Sequence, residues 1–440
     1  MDIYKRLRSR TVLHRAWAKV RTSGLGSESQ QTKQDTRRFE KDWLSGLERI
    51  RSQLKERSFA FEGEKGITPA KGVGKSGVRP IVLTPIANRI VRRAVLEVLQ
   101  GYGSDGDKAR QRWPGIPKVR EVMATRTSIG GIPDRGVPLG LAIIDEAVKA
   151  KRPWFVRSDI KNFFTKIPKT DVSSFIRAAV GNDKFADFFD QALATNLENQ
   201  EELEERNYFK YFPNPDIGVA QGSALSALAG NIVLREFDAA MNDRGIVCVR
   251  YIDDFILLGS TEEKVYAAYE SARKRLCKMG MDVYELTDDV ALASGKVHAG
   301  NIFNGTNILG YRVSGHSRQP SDASREKFLA KLARVVAESK RAMKEAAAGA
   351  PISRTMRYHP AMGALHEIIW GWSQAFKYTT TKQVFEKLDV DIERRVADIH
   401  QATLNLIPAG DYRMSRRVMG VHLLADTPQA SLEDLLGNSA

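Results

Sequence analysis

The chain has 440 residues, which is too long for one compact core and predicts two or three domains. Its formal net charge is +15, and a basic excess of this size favours a nucleic-acid partner over a protein that merely stays soluble. The two cysteines, Cys248 and Cys277, exclude a disulfide framework and a cysteine-rich zinc module, and we expect both to be buried, reduced thiols.

The first part of the chain reads as basic helices followed by turns and short strands. The N-terminus has no apolar signal core, and no apolar run of about 18 residues occurs, so we expect a cytoplasmic protein without a membrane span. In chain order, the pattern predicts a helix over 35–59, turns and a hairpin over 61–80, a strand over 80–84, a helix over 88–99, a glycine-rich loop over 125–140 and a helix over 140–150.

The middle of the chain alternates helices and strands. The pattern predicts a strand over 154–158, helix over 171–194, an acidic solvated stretch over 198–205, a helix over 223–241, strands over 246–251 and 255–258, and a helix over 262–279. After about residue 320 the chain reads as a separate helical module.

Two adjacent acids, Asp253 and Asp254, stand between the two predicted strands of a hairpin. Neighbouring carboxylates at a hairpin tip are electrostatically costly, and a divalent cation is the natural compensation. A polar turn explains the pair equally well, because aspartate suits turns, until a second element is found.

A third acid, Asp159, ends the apolar strand over 154–158 and is followed by Phe163 and Phe164. Metal-assisted phosphoryl transfer needs carboxylates from separate segments that converge on two metal ions about 3.5–4 Å apart. One strand end and one hairpin tip in a shared sheet can provide that geometry. A further element, Gln221–Gly222, opens the helix over 223–241, and its glycine lets backbone come close to a base or sugar.

In this order and at these intervals, the three elements resemble the palm of reverse transcriptases. The resemblance implies an α+β fold, the right-hand polymerase with fingers, a palm of antiparallel sheet plus helices, and an α-helical thumb. It implies that Asp159, Asp253 and Asp254 are catalytic, that Asp159 and Asp253 are the main metal ligands, and that the Ile160 carbonyl is a further ligand. Two Mg²⁺ ions, with Mn²⁺ as an alternative, are the implied cofactors.

The resemblance also assigns contacts to the incoming dNTP. Phe164 falls where the family keeps an aromatic residue that blocks a ribose 2′-hydroxyl, so it should favour dNTP over rNTP. Gln221 and Gly222 match the turn that contacts template and dNTP. Lys75 and Arg79 lie in a stretch that resembles the fingers hairpin and should contact the triphosphate, although an exposed basic turn is the alternative.

Beyond the hairpin the resemblance continues towards the C-terminus. Lys296 is the nearest candidate for the lysine that protonates pyrophosphate, and 307–313 resembles the primer-grip strand. The stretch 368–373 is similar to the aromatic thumb motif of group II intron-like enzymes, where we favour core packing over base stacking. The cations expected to track RNA or primer along one helix are Lys327, Lys331, Arg334, Lys340, Arg341 and Lys344.

The expected domains are a basic helical N-terminal segment (1–60), fingers (61–150), a palm with interleaved finger elements (151–315), and a helical thumb with a C-terminal tail (316–440). The chain looks most like the unknown-group, defence-associated reverse transcriptases of bacteria, among which the class 2 type is a plausible assignment. Those enzymes are related to group II intron and retron reverse transcriptases.

The resemblance implies an RNA-directed DNA polymerase that copies a structured non-coding RNA in antiphage defence. Its partners would be that RNA, dNTPs and the DNA product, and a homo-oligomer is an open option. Three alternatives remain. An RNA-dependent RNA polymerase is disfavoured by Phe164. The others are a catalytically silent RNA-binding protein on the same fold, and a template-independent or protein-primed DNA polymerase.

Overall fold

The structure, a computed structural model, describes residues 2–27, 29–70, 78–103, 112–243, 245–349 and 356–424. The chain divides into two compact units, Met1–Asn301 and Ile302–Ala440. The division into N-terminal segment, fingers, palm and thumb is finer than this and stays a prediction. Across the described ranges, no helix is both long and apolar enough to cross a membrane.

Helices dominate the first half of unit 1. They are α1 (Ile3–Leu7), α2 (Arg10–Leu25), α3 (Gln30–Glu40), α4 (Trp43–Glu56), α5 (Ile86–Gln100), α6 (Pro117–Ala124) and α7 (Val137–Lys149). The prediction of one helix over 35–59 is wrong, because the chain turns between α3 and α4. Phe39 packs 4.8 Å from the ring of Trp17 and against Gly46, a contact that one straight helix would prevent.

The N-terminal helices are joined to α5 by a buried carboxylate. Helix α2 packs along α5, and Glu97 of α5 is 2% exposed. Its oxygens lie 2.6 Å from Lys19 Nζ, 3.4 Å from Arg15 Nε and 2.9 Å from an Arg93 nitrogen. Three basic side chains are therefore used to compensate one acid inside unit 1.

The second half of unit 1 contains α8 (Phe163–Lys166), α9 (Lys169–Val180), α10 (Asp183–Leu193), α11 (Gln200–Glu205), α12 (Ser226–Met241), α13 (Glu262–Lys278) and α14 (Asp289–Ala293). The prediction that 171–194 is helical is confirmed, and the stretch is divided into α9 and α10. Gly181 adopts a left-handed φ of 60° and ends α9, and the Asn182 side chain accepts a hydrogen bond from the Phe185 N–H to start α10.

An antiparallel sheet forms the centre of unit 1, and it confirms the α+β fold class. Its strands are β3 (Trp154–Lys161), β4 (Val247–Tyr251), β5 (Asp254–Gly259), β6 (Asp282–Val283) and β7 (Val297–Asn301). The order is β4-β5-β3-β6, and β7 pairs with the first half of β3. A separate antiparallel pair, β1 (Lys65–Ile67) and β2 (Ile81–Leu83), confirms the predicted strand near residue 82.

Helices α12 and α13 cover the sheet through aromatic side chains. Phe255 of β5 lies 5.6 Å from Phe237 and 6.3 Å from Tyr269, measured between ring centroids. Cys248 on β4 is buried, as expected. The expectation for Cys277 is wrong: it is exposed, because it lies on the solvent face of α13.

Unit 2 consists of a small sheet followed by helices, which confirms the predicted helical C-terminal region. Its elements are β8 (Thr306–Ile308), β9 (Tyr311–Ser314), β10 (Ser317–Pro320), α15 (Asp322–Ala347), α16 (Tyr358–Ala375), α17 (Gln383–Leu404) and α18 (Tyr412–Met419). Trp372 stacks on Phe328 at 4.4 Å, so core packing is confirmed there. The prediction of core packing is wrong for Trp370, whose side chain is 58% exposed.

Candidate active site

The three predicted acids meet at one end of the central sheet. Asp159 of β3 is the direct register partner of Asp254 of β5. The Ile160 N–H donates a 2.9 Å hydrogen bond to the carbonyl of Asp253. Antiparallel partners have Cα atoms about 4.5–5.5 Å apart, so the third acid lies beside the hairpin tip rather than across the molecule.

The turn between β4 and β5 is strained. Ile252 adopts a φ of 61°, the left-handed region that a β-branched residue rarely enters. Such a conformation persists only when its surroundings fix it, and it is typical of functional sites. The turn places Asp253 and Asp254 side by side at the start of β5.

Burial and mutual repulsion disfavour the charged forms of two of these acids. Desolvation raises the pKa of Asp253, and the charge of Asp159 adds to the rise. Desolvation raises the pKa of Asp254 to about 6, with Arg157 opposing the shift and the two other acids reinforcing it. The site therefore holds more negative charge than the protein alone compensates.

Lys296 is the principal cation at these acids. Its Nζ forms a hydrogen-bonded ion pair with Asp159 Oδ2. Desolvation lowers the pKa of Lys296, but the hydrogen bond and charge of Asp159 outweigh it and raise the pKa overall. Asp159 Oδ1 is buried and accepts no hydrogen bond within the described part of the chain.

Arg250, which the sequence analysis did not single out, supports the turn between β4 and β5. Its fully buried guanidinium binds Asp238 at 2.6 and 2.5 Å, Ser128 Oγ at 2.9 Å and Asn231 Oδ1 at 3.0 Å. The remaining nitrogen donates at 2.8 Å to the carbonyl of Ile252. Its place immediately before Tyr251 was the only feature of the sequence that pointed to Arg250, because its side-chain partners Ser128, Asn231 and Asp238 lie 12 or more positions away.

The glycine-rich loop over 125–140 also proves to be part of this support. The Ile129 N–H donates to the Arg250 carbonyl at 2.9 Å, and the Asn231 side chain donates to the Gly130 carbonyl at 3.0 Å. A Cβ added at Gly130 would lie 2.5 Å from the backbone nitrogen of Ile252. Only glycine lets the loop come this close to the hairpin.

The predicted nucleotide gate and the Gln-Gly turn are joined by backbone. The carbonyl of Phe164 accepts a 2.8 Å hydrogen bond from the Val219 N–H, two residues before Gln221. Gly222 has a φ of 95° and open space around the position of a Cβ. Gln221 and Gly222 line a cleft of about 500 Å³ together with residues of α2, α5, β1 and β2.

The two predicted triphosphate contacts differ in what the structure shows. Lys75 lies outside the described residues. Arg79 is exposed and its backbone N–H donates to the Pro69 carbonyl at 2.9 Å, next to the β1–β2 pair. Their contact with a triphosphate stays a prediction.

The basic face predicted on α15 is partly neutralised by the chain itself. Lys327 and Lys331 are exposed, and neither pairs with an acid among the residues that the structure describes. The ion pairs of this helix include Arg334–Glu338 at 4.0 Å, Lys340–Asp398 at 2.7 Å and Arg341–Glu345 at 3.8 Å. Two glutamates follow arginines at one-turn spacing, so part of the positive charge of α15 is compensated within the helix itself.

The chain matches the family described as reverse transcriptase (RNA-dependent DNA polymerase) over residues 37–285, more than half its length. The chain therefore belongs to the reverse transcriptase family. No curated protein matches it.

Solved structures that resemble the chain are distant. One is a partial Cas6-RT-Cas1–Cas2 complex, with 17% identity, a TM-score of 0.32, and coverage of 62% of this chain and 42% of that one. Another is apo telomerase from Candida tropicalis truncated from its C-terminal domain, with 14% identity, a TM-score of 0.39, and coverage of 59% and 55%. The chain thus spans about half of these proteins, and the assignment rests on the family match and the sheet.

Polymerases of this kind use divalent metal ions. The buried, unpartnered Oδ1 of Asp159 and the raised pKa values of Asp253 and Asp254 fit a site that gains a cation. In the described ranges, no three His, Cys, Asp or Glu side chains stand close enough together to hold a metal as they are. Binding would therefore require the carboxylates to adjust, with Lys296 leaving Asp159.

Proposed function

We propose that the chain is an RNA-directed DNA polymerase whose nucleotidyl transfer takes place at Asp159, Asp253 and Asp254. The observation that carries the proposal is the register of β3 and β5, which sets Asp159 opposite Asp254 beside a strained hairpin turn. Carboxylates from two separate segments therefore lie near one another at one end of the sheet, and metal-assisted phosphoryl transfer uses such carboxylates when they converge on the ions.

Two Mg²⁺ ions, with Mn²⁺ as a substitute, suit this oxygen-rich donor set. Asp159, Asp253, Asp254 and the Ile160 carbonyl would hold them. When bound, such ions make a primer 3′-hydroxyl more acidic and neutralise the charge of leaving pyrophosphate.

The remaining residues select and orient the nucleotide. Phe164 excludes a ribose 2′-hydroxyl, and Gln221 and Gly222 contact template and dNTP. Lys75 and Arg79 bind the triphosphate. The primer 3′-hydroxyl loses its proton to water, its oxygen forms a bond to the α-phosphorus, the bond from that phosphorus to the bridging oxygen breaks, and pyrophosphate leaves with the electron pair.

Lys296 then supplies a proton to pyrophosphate. It already lies at the acids, with its Nζ on Asp159, which supports this role. A lysine that exchanges a carboxylate partner for a phosphate oxygen acts as a point charge and a proton donor at once.

We further propose that the template is a structured non-coding RNA and that the enzyme serves bacterial antiphage defence in the cytoplasm. The net charge of +15 supports a nucleic-acid partner. The class of template and the defence role rest on the sequence resemblance. The thumb cations Lys327 and Lys331, exposed and without acid partners in the described chain, are the strongest candidates for RNA or primer contact.

A primer-extension assay on purified protein tests the activity. An RNA template with an annealed DNA primer should be extended with dNTPs and Mg²⁺, and Asp253→Asn should abolish extension while RNA binding stays within about twofold. Efficient use of rNTPs alone would indicate an RNA polymerase, and synthesis without template would indicate the template-independent alternative. Extension by Asp253→Asn at the parent's rate would overturn the assigned site.

The template is best identified from the cell. Nucleic acid that copurifies with the expressed protein should contain one abundant RNA and its complementary DNA. A diffuse mixture of RNAs with no complementary DNA would contradict the proposal of a dedicated template.

A further inference from the structure

Two lysine side chains lie over the ring of Tyr284, and one of them, Lys296, is paired with Asp159. Lys161 Nζ lies 4.5 Å from the ring centroid and Lys296 Nζ lies 5.7 Å from it. The backbone at Tyr284 is anchored to the core, because the hydroxyl of buried Tyr269 donates a 2.5 Å hydrogen bond to the Tyr284 carbonyl. A cation over an aromatic face is held only weakly, so the ring positions both charges without neutralising either.

Lys161 lies on the same face of β3 as Asp159. Side chains two residues apart on a strand point the same way and start about 6.6 Å apart. The cross-strand neighbour of Lys161 is Asp282 of β6, yet no acid of the described chain forms an ion pair with Lys161.

The two lysines therefore differ in whether an acid already compensates their charge. Lys296 has Asp159 as a partner, whereas the contact shown for the Lys161 ammonium among the described residues is the ring of Tyr284. Once Asp159 takes up a divalent cation, the pair would present two uncompensated positive charges next to the reacting phosphates. Two lysine ammonium groups held next to one aromatic ring suit a small polyanion such as pyrophosphate, because an ammonium group binds a phosphate oxygen as a point charge without a fixed bidentate geometry.

We propose that Lys161 and Lys296, held on the Tyr284 ring, form the site that receives pyrophosphate as it leaves. This inference rests on the proposed polymerase function and adds Lys161 and Tyr284 to it. The bond between the α-phosphorus and the bridging oxygen is already broken at this stage. The lysine pair binds the product by charge and forms no covalent bond, and Lys161 acts on product release and on the reverse reaction.

Product inhibition by inorganic pyrophosphate tests the site in the full-length protein. Lys161→Gln should raise the inhibition constant for pyrophosphate about 5- to 20-fold and slow pyrophosphorolysis. Lys161→Arg, which keeps the charge, should stay within about threefold of the parent. Lys166→Gln is the matched control, because Lys166 is exposed, lies on α8 and loses the same charge.

A binding measurement separates this site from catalysis. Calorimetric titration of pyrophosphate into the Asp253→Asn protein should show weaker binding after Lys161→Gln or Tyr284→Leu is added, and unchanged binding after Lys166→Gln. A thermal melt of each variant within about 2 °C of its parent shows that the fold is intact.

The outcomes distinguish two failures. If the parent extends primers but Lys161→Gln and Lys166→Gln respond equally to pyrophosphate in both assays, the lysine pair is not the site and the polymerase function stands. If the parent extends no primer on any template, the polymerase function falls. The calorimetric titration would still show whether Lys161 binds pyrophosphate.

Discussion

The buried pair Arg250–Asp238 should be the most sensitive structural position in the catalytic unit. Asp238→Ala leaves the Arg250 guanidinium, which is 0% exposed, without its two shortest hydrogen bonds. Removing one partner of a buried ion pair costs about 3–5 kcal/mol, because the other charge remains uncompensated. In a unit of this size that corresponds to a fall in melting temperature of at least about 6 °C.

Differential scanning fluorimetry, with circular dichroism as a second probe, measures this loss. Glu236→Ala is the matched control on the same helix, since Glu236 is exposed and, among the described residues, its ion pair is with neighbouring Arg235. Its effect on the free energy of unfolding should stay within about 0.5 kcal/mol.

A double variant then distinguishes stability from positioning. Asp238→Leu with Arg250→Met removes both charges and should recover much of the lost stability, as hydrophobic replacements of buried ion pairs do. It cannot restore the hydrogen bond to the Ile252 carbonyl, so primer extension should stay low. An Asp238→Ala protein that melts within about 2 °C of the parent would refute the reasoning.

The nucleotide gate, the loop beneath the hairpin and the buried acids should each respond to a single change. Phe164→Ala should lower discrimination against rNTPs about 10- to 100-fold, measured as the ratio of kcat/KM values for dNTP and rNTP. Gly130→Ala should destabilise by about 1–3 kcal/mol in a thermal melt and slow extension, because its Cβ meets the Ile252 backbone, whereas Gly136→Ala in the same loop has room and should be neutral. Without metal, the raised pKa of Asp254 means that its contribution to stability is present below about pH 4 and is lost as the pH rises through about 6. Mg²⁺ should therefore raise the melting temperature more at pH 7.5 than at pH 5, and Asp254→Asn should weaken that pH dependence.

The acids could be placed from the sequence because their signals are local. Short apolar runs define β3 and β5, and a hairpin brings Asp253 and Asp254 to its tip. The pairing of Asp159 with Lys296 joins positions 137 residues apart, and only the family resemblance nominated that lysine.

The support beneath the hairpin could not be predicted, because it is entirely tertiary. Ser128, Asn231 and Asp238 converge on Arg250 from a loop and from a helix, and none of them carries a distinctive pattern. The break between α3 and α4 could not be predicted for a related reason. Apolar residues continue at helical spacing through 35–59, while Phe39 packs against Trp17 where the chain turns. Periodicity reports which face is buried and says little about where a chain must bend.

The compensation of Glu97 by basic residues of α2 changes how the N-terminal helices should be regarded in experiments. A truncated protein that begins after α2 would lack Lys19 and Arg15, and the Glu97 carboxylate, which is 2% exposed, would keep Arg93 as its cationic partner. Loss of RNA binding in such a truncated protein would then reflect a misfolded catalytic unit as readily as a missing contact. Point substitutions at solvent-facing lysines are the sounder way to map where the RNA lies.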